Sequence, residues 1–479
     1  MDTISIEKLR TIRVADIACG CGGFLLDIAS LLHKKTETSY YQIFKDSIFG
    51  IDIQDYSVER TQLLLSLLAL LDGEDENFKF NILHADTLDY NTSEWNQFYT
   101  NFDIIVGNPP YVCSRKVDTP TKQKMLRYEV CQSGHPDLYI PFFQIATEML
   151  NNGGILGFIT MNSFIRSVNG RAVRNYFSQG EHEISILDFR GYQIFKKRST
   201  YTCLFFLIKN KLSKTLNYAI NENGDLNSVT VYSNINYDLL DNKKGWSLND
   251  FEKVRQLESY GTAIGEFCQS RHGIATLRNN IYIFKPVAED DNYYYLILQN
   301  NRFAIEKSIC RDIINSNKLN SEVSLESIRE KLIFPYTIKD GRAIIIDENT
   351  MKSDYPSAYV YLSTNREQLA KRDKGKTDKY PEWYAYGRTQ SLIMPRYKLF
   401  FPKFANKPLH CKIIDDVNLM LYNGVAFVSD KIEKLQILKG VLDSEVFWEY
   451  IVKNAKPYAS GYYSLSGVDI KNFCIPSET

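Results

Sequence analysis

The chain carries no surplus of either charge: Lys and Arg total 57, and so do Asp and Glu. A global electrostatic pull toward nucleic acid is therefore excluded, and any basic surface must be local. Nine cysteines, an odd and scattered set, exclude a disulfide framework and point to a reducing compartment. Cys19 and Cys21 have no second pair at zinc spacing, so no metal is expected. His84 and His135 lack the partners of a nucleophilic relay, and no cluster of acids with a lysine marks a nuclease. No apolar run is long enough to span a bilayer and no signal-peptide pattern opens the chain, so a cytoplasmic protein without a membrane partner is expected. Internal repeats and low-complexity tails are missing too. What is abundant is aromatic: 32 tyrosines and 27 phenylalanines, enough for large cores and for stacking surfaces.

At 479 residues the chain exceeds one typical domain. From Arg13 to about Lys209, β-rich runs alternate with helical patterns, which predicts an α/β fold with a doubly wound, mostly parallel sheet. Strands are expected at "RVAD", "SIFGIDI", "FKFNILHAD", "FDIIVG", "ILGFIT", "EISILDF" and "TYTCLFFLIK". The polar, basic stretch from Val112 to Pro136 reads as a mobile loop over a site. The helix of "LYIPFFQIATEMLNNGG" should stop at Gly153-Gly154. After Lys209, "KNKLSKTLNYAINENGDLNS" reads as an exposed hairpin or linker. The boundary is set at 240, giving domains 1–240 and 241–479, the second a mixed α/β unit rich in tyrosine and basic segments.

The chemistry gathers at strand ends. In "DIACGCGG" the chain turns from Asp16 through Gly20, Gly22 and Gly23 into a helix, a geometry that lets a ligand approach the backbone. Asp52 closes the second strand, where a carboxylate can accept both hydroxyls of a ribose, and Asp86 follows the third, where it can accept from an adenine amino group. Three acids at three strand ends make one nucleoside pocket. Beside it, at the end of the fourth strand, stands Asn108-Pro109-Pro110-Tyr111. An exocyclic amine on a nucleobase is a poor nucleophile because its lone pair is delocalised. The Asn108 side-chain oxygen and the Pro109 carbonyl can each accept one amine hydrogen and localise that pair. Prolines fix the carbonyl direction, and Tyr111 can stack on the base. An adjacent sulfonium donor then delivers a methyl group in line, so catalysis is positioning and electrostatics.

These motifs, with "HPDLYIPFFQIATEMLNNGGILGFIT" and "IFKKRSTYTCLFFL", stand in the order found in gamma-class amino-methyltransferases of bacterial restriction-modification systems. The sequence resembles the N6-adenine branch of that family. From about Ile264 onward, "IGEFCQSRHGIATLRNNIYIF", "GRTQSLIMPRYKLFFPKF" and "AKPYASGYYSLSGVDIKNFCIP" look like the target-recognition domain of Taq-type adenine methyltransferases.

The resemblance implies a bacterial enzyme with a Rossmann-like S-adenosylmethionine-dependent methyltransferase domain that flips adenine out of double-stranded DNA. It carries cofactor binding onto Asp16, Ala18, Gly20, Gly22, Asp52, Ile53, Asp86, Thr87 and Asn108. It carries the chemical step onto Asn108, Pro109, Pro110 and Tyr111, with Phe195 stacking on the flipped base. Lys196, Lys197 and Arg198 beside Phe195, and Arg388, Arg396, Lys398 and Lys403 in the second domain, are candidate DNA contacts.

Two features depart from the family pattern. Ile17 and Cys21 replace the usual proline and serine of the first loop. Only about a dozen residues precede the first strand, where the family carries a segment that helps enclose the cofactor. A separate polypeptide supplying that segment, or a restriction nuclease, is therefore an expected partner, and weak cofactor binding by this chain alone is expected. Two other functions fit the same motifs: a catalytically weak DNA-recognition subunit of a larger complex, and an RNA or protein-glutamine methyltransferase of the same fold.

Overall fold

The computed structural model describes the chain except residues 1–3, 98, 196–199, 227–230, 319–322, 376–378, 403, 456–460, 466–469 and 477–479. It divides into two compact units, Met1–Phe251 and Glu252–Thr479. Among the described residues no helix is long and apolar enough to cross a membrane.

The first unit is built on a nine-stranded sheet. Its strands are β1 (Val14–Asp16), β2 (Ile48–Asp52), β3 (Asn81–His84), β4 (Phe102–Gly107), β5 (Leu150–Met161), β6 (Glu183–Asp188), β7 (Thr202–Ile208), β8 (Thr215–Ile220) and β9 (Ser233–Asn236). Its helices are α1 (Ile6–Arg10), α2 (Gly23–Thr36), α3 (Tyr40–Asp46), α4 (Asp55–Leu71), α5 (Thr119–Met125), α6 (Ile140–Met149) and α7 (Arg171–Gln179). The strand order is β3-β2-β1-β4-β5-β7-β6-β8-β9. Strands β1 to β5 run parallel, whereas β7 lies antiparallel between β5 and β6.

The period-two alternation of buried strand residues covers both faces. Val14, Ile48 and Ile82 point into one core with Leu25, Ala29 and Leu32 of α2 and Val58, Leu65 and Ala69 of α4. Ala15, Phe49, Ile105 and Phe158 point into the other, with Phe143 and Met149 of α6 and Phe177 of α7. The α2 positions step by four and three residues and the α4 positions by seven and four, so each of these two helices lays one apolar stripe on the sheet. The chain order reverses between β1 and β4, which makes the carboxyl ends of these two strands the crevice where doubly wound sheets bind ligands.

Three expectations need correction. The stretch from Val112 to Pro136 is not a mobile loop: Asp118 caps α5 by accepting from Thr121 N, and Val117, Met125, Tyr128, Val130 and Cys131 are buried in the sheet's core. Helix α6 does not run to Gly153-Gly154; it ends at Met149 because Leu150 is already extended and paired with Phe102. The glycines instead sit where the pairing register jumps from Leu150 to Ile155, with Gly153 at φ +77°. The segment after Lys209 is not a linker: β8 pairs with β6, and its Leu216 and Tyr218 are buried with Tyr237, Trp246 and Leu248 in the first unit's core. This packing carries the unit past residue 240 to Phe251.

The second unit is mixed α/β. One four-stranded antiparallel sheet joins Gln269–His272, Val425–Ser429, Tyr397–Phe400 and Lys412–Asp415. Another joins Ile283–Phe284, Arg329–Ile333, Cys310–Asn315 and Met420–Tyr422. Helices Ile432–Leu442 and Glu445–Asn454 contribute Leu435, Leu438, Leu442, Phe447, Tyr450 and Ile451 to a core of its own.

Candidate active site

The glycine loop after β1 is held from three sides. Asp52, the last residue of β2, accepts from Gly20 N at 2.8 Å and from Gln54 N at 2.9 Å. Thr61 of α4 donates to the Gly20 carbonyl at 3.0 Å. Cys19 N bonds to Ile51 O at 3.0 Å, and Gly22 N closes a tight turn onto Cys19 O at 2.8 Å. The side-chain positions of Gly20 and Gly23 face open space, while Gly22 packs against Thr61. The loop is thus closed toward α4 and open where a ligand approaches.

Asp16 is almost wholly buried. Its Oδ1 accepts from Ala18 N at 3.0 Å, and a Cβ on Gly107 would fall 2.8 Å from that same oxygen. The acid of the first strand therefore stands against the residue immediately before Asn108. Burial, with the nearby Asp52 adding to it against the Ala18 hydrogen bond, pushes the Asp16 carboxyl from 3.8 up to about 7. Because this value lies above that of the unfolded chain, the unfolded chain releases a proton between about pH 4 and pH 7 that the folded chain keeps. Folding stability from this group is full below that window, falls as the pH rises through it, and stays at its lowest above it. Asp16→Asn keeps the acceptor for Ala18 N without the charge. It is expected to raise the melting temperature of the cofactor-free chain at pH 8 by several degrees, from about 2–4 kcal/mol. At pH 4 the two proteins should melt together, and a gain that persists there would mean the charge is not its origin.

Asn108 follows β4 and is exposed, and its side chain makes no hydrogen bond among the described residues. Pro109 is buried and Pro110 partly so. Tyr111 donates its hydroxyl to Ile159 O of β5 at 2.9 Å, and burial pushes its phenol up. The Phe195 ring meets Tyr111 edge-on, with centroids 6.5 Å apart and planes at 64°. Residues 84 positions apart in sequence thus form one aromatic corner beside the free amide.

Other predicted residues have different occupations. Asp86 accepts from Leu88 N through Oδ1 at 3.0 Å and pairs through Oδ2 with Lys124 at 2.7 Å; Lys124 also reaches Asp89 at 2.6 Å. These two carboxylates raise the pKa of the lysine. Thr87 is buried and donates to Ile17 O at 2.6 Å, which ties the third strand's end to the first loop. Ile53 is mostly exposed. Lys398 is no surface cation: it is fully buried, with Nζ 2.6 Å from Asp416 O, and burial lowers its pKa. Arg388 and Arg396 are exposed but paired, with Asp373 at 2.7 Å and with Asp415 at 2.8 Å. Lys196, Lys197, Arg198 and Lys403 lie outside the described residues. Sequence reasoning missed Lys124 and Thr61. Each lies in a helix between motifs, and only the fold shows that it reaches one.

Acids at the carboxyl ends of adjacent strands and an open glycine turn stand on a sheet of defined class: the first unit has the Rossmann-like fold of S-adenosylmethionine-dependent methyltransferase domains. Residues 46–195 match the profile described as Eco57I restriction-modification methylase. The chain is similar to the Type II restriction enzyme and methyltransferase RM.Eco57I of Escherichia coli, 25% identical over 457 residues, covering 81% of this chain and 45% of that protein. It is also similar to the Type II methyltransferase M.BanIII of Aneurinibacillus aneurinilyticus, 23% identical over 456 residues, covering 84% of this chain and 73% of that one. Among solved structures, the Type IIL restriction-modification enzyme MmeI in complex with DNA aligns with a TM-score of 0.65 at 15% identity, over 97% of this chain and 62% of that one. The chain therefore spans less than half the length of the Escherichia coli relative.

Proposed function

We propose that this protein is a site-specific DNA adenine-N6 methyltransferase, the modification component of a restriction-modification or phage-defence system. The observation that carries the reading is the placement of Asn108-Pro109-Pro110-Tyr111: it follows the switch-point strand directly after Gly107, which stands against Asp16, and its Tyr111 meets the Phe195 ring. Methyltransferase relatives that match four fifths of the chain support it.

The residues present fit S-adenosylmethionine. Gly20 and Gly23 leave open space along the loop, and Asp52 stands at the end of β2 with oxygens able to accept ribose hydroxyls. Once bound, the cofactor supplies a sulfonium-activated methyl group. The chain's own task is to present the acceptor. Asn108 Oδ1 and the Pro109 carbonyl accept the two amino hydrogens of adenine and so favour a localised lone pair on nitrogen. Tyr111 and Phe195 offer the base aromatic surface in exchange for its lost stacking, which costs roughly a few kcal/mol. No residue with a strong base's pKa is needed, because positioning and fixed acceptors do the work. The second unit is the target-recognition domain in this reading. Arg388 and Arg396 are already ion-paired, so any contact they make with phosphate exchanges one partner for another.

The test is transfer of labelled methyl groups to duplex DNA, RNA and release-factor protein, followed by sequencing that detects N6-methyladenine. A second arm adds the neighbouring gene products. Methylated adenine at one recurring motif is expected. Label in RNA or in protein glutamine, or none in either arm, overturns the reading. Phe195→Ala is expected to lower the transfer rate about tenfold, within the roughly 1–3 kcal/mol of one stacked base. Steady-state rates on a single-site duplex check this.

A further inference from the structure

Asp188 is a buried carboxylate that the proposed chemistry does not use. It is the last residue of β6 and is 8% exposed. Burying such a group is costly unless its lone pairs are satisfied, and here three donors from three places satisfy them. Asn162, one residue past β5, donates to Oδ1 at 2.8 Å. Tyr218 of β8 donates its hydroxyl to Oδ2 at 2.9 Å. Arg190 N, in the turn that leaves β6, donates to Oδ1 at 2.8 Å.

That turn begins the segment carrying Phe195. Arg190 is held at φ +47°, a left-handed conformation that an arginine keeps only when its surroundings impose it. Tyr192 N then bonds to Phe189 O at 2.8 Å, and its ring packs on Gly224 so closely that a Cβ there would lie 2.3 Å away. Ile194 packs on Leu187, Phe189 and Ala219. The next residue is Phe195, on the edge of Tyr111. On the other side, Asn162 N bonds to Tyr201 O at 3.0 Å, which fixes the far end of the same excursion. One side chain therefore clamps the root of the segment to β5 and β8, and Asn162 holds both of its ends.

We propose that Asp188 is a positioning residue for base capture: its carboxylate fixes the segment 189–195 and thereby holds Phe195 at the Tyr111 ring. The inference rests on the reading above, in which those two rings grip a nucleobase.

The test uses the full chain with Asp188→Ala and Asp188→Asn. The asparagine keeps an oxygen for Asn162 and Arg190 N, and its amide nitrogen can donate to the Tyr218 hydroxyl, which can accept as well as donate. It should therefore restore what the alanine loses. Hydrogen exchange of residues 189–195 reads the clamp without DNA. Fluorescence of 2-aminopurine, placed at the adenine of the motif that sequencing defines, reads base capture. With Asp188→Ala, exchange should speed up, while the fluorescence gain and kcat/KM fall, each by about tenfold, the scale of a lost hydrogen bond to a charged group. S-adenosylmethionine affinity should stay within about twofold, because the clamp makes no contact with the glycine loop. Asp188→Asn should return all three readouts toward wild type. Should Asp188→Ala not fold, Tyr218→Phe and Asn162→Ala remove one donor each and should produce the same pattern at smaller size. Faster exchange with unchanged fluorescence and kcat/KM overturns the proposal, and so does unchanged exchange. A wild-type chain that shows faithful exchange protection but no methylation sinks the functional reading, and base capture with it, while the clamp itself stands.

Discussion

Asn108→Ala is expected to lower methyl transfer by at least about 10²–10³-fold, the scale seen when a single preorganised polar contact to the reacting group is removed. The structure makes this a clean experiment. Asn108 is exposed and its side chain is bonded to nothing among the described residues, so truncation removes no contact that holds the fold. The backbone of the motif is fixed by other means: Pro109 is buried, Tyr111 is anchored on Ile159 O, and Val112 N returns to Pro110 O at 3.1 Å. The variant should therefore melt within a degree or two of the parent and bind duplex DNA with similar affinity, and transfer is measured at saturating S-adenosylmethionine. Its 2-aminopurine signal should also persist, since Tyr111 and Phe195 are untouched. Single-turnover transfer measured beside DNA binding separates the chemical step from assembly. A variant that keeps more than about a tenth of the parental rate would end the assignment of the amide to the amine. An amide within the protein's interior network would have given a different expectation, with stability lost alongside activity.

How much of this was visible in the chain depends on where the physics is local. The first four strands were legible because each is a short run that ends at, or within two residues of, a glycine or an acid, and the candidate site gathers at those ends. Phe195 was named through the family resemblance and Tyr111 from its own motif, each as a ring for the base; that the two rings meet edge-on shows only in the fold. β8 was misread because its alternation is half polar: Thr215 and Asn217 dominate the composition, while Leu216 and Tyr218 do the packing. The stretch around α5 was misread for a related reason. Its lysines and arginine suggested solvent, yet Lys124 and Arg127 point back at Asp86 and Asp89, 35 to 38 residues earlier. Charge counted along a sequence carries no sign of its partner. Lys398 shows the same limit in the opposite sense: a lysine two residues from an arginine reads as basic surface, but it lies in a strand whose neighbours bury it completely.

Gly22→Val is expected to destabilise the first unit by roughly 2–5 kcal/mol and to abolish measurable S-adenosylmethionine binding, and the reason is visible in two independent terms. Gly22 sits at φ +77°, ψ +19°, at the start of α2, and a side chain in the left-handed region costs roughly 1–2 kcal/mol even before branching at Cβ is counted. The added Cβ would also fall 2.6 Å from Thr61 Cγ2 and 3.0 Å from its hydroxyl. Thr61 cannot yield cheaply, because it is fully buried on α4 and its hydroxyl holds the Gly20 carbonyl; overpacking of this kind costs roughly 1–3 kcal/mol. Whichever way the strain relaxes, it moves the Thr61 anchor or the turn that Gly20 N makes with Asp52, so the loop loses its shape where the ligand approaches. Gly23→Ala, one residue on, is the control. Its Cβ meets nothing within 4 Å and it is the first residue of α2, so stability should hold or rise by up to about 0.5–1 kcal/mol. Denaturant midpoints of both variants, with a cofactor titration of Gly22→Val, are the measurement: if valine at 22 is no more destabilising than alanine at 23, the loop is not built as this geometry requires.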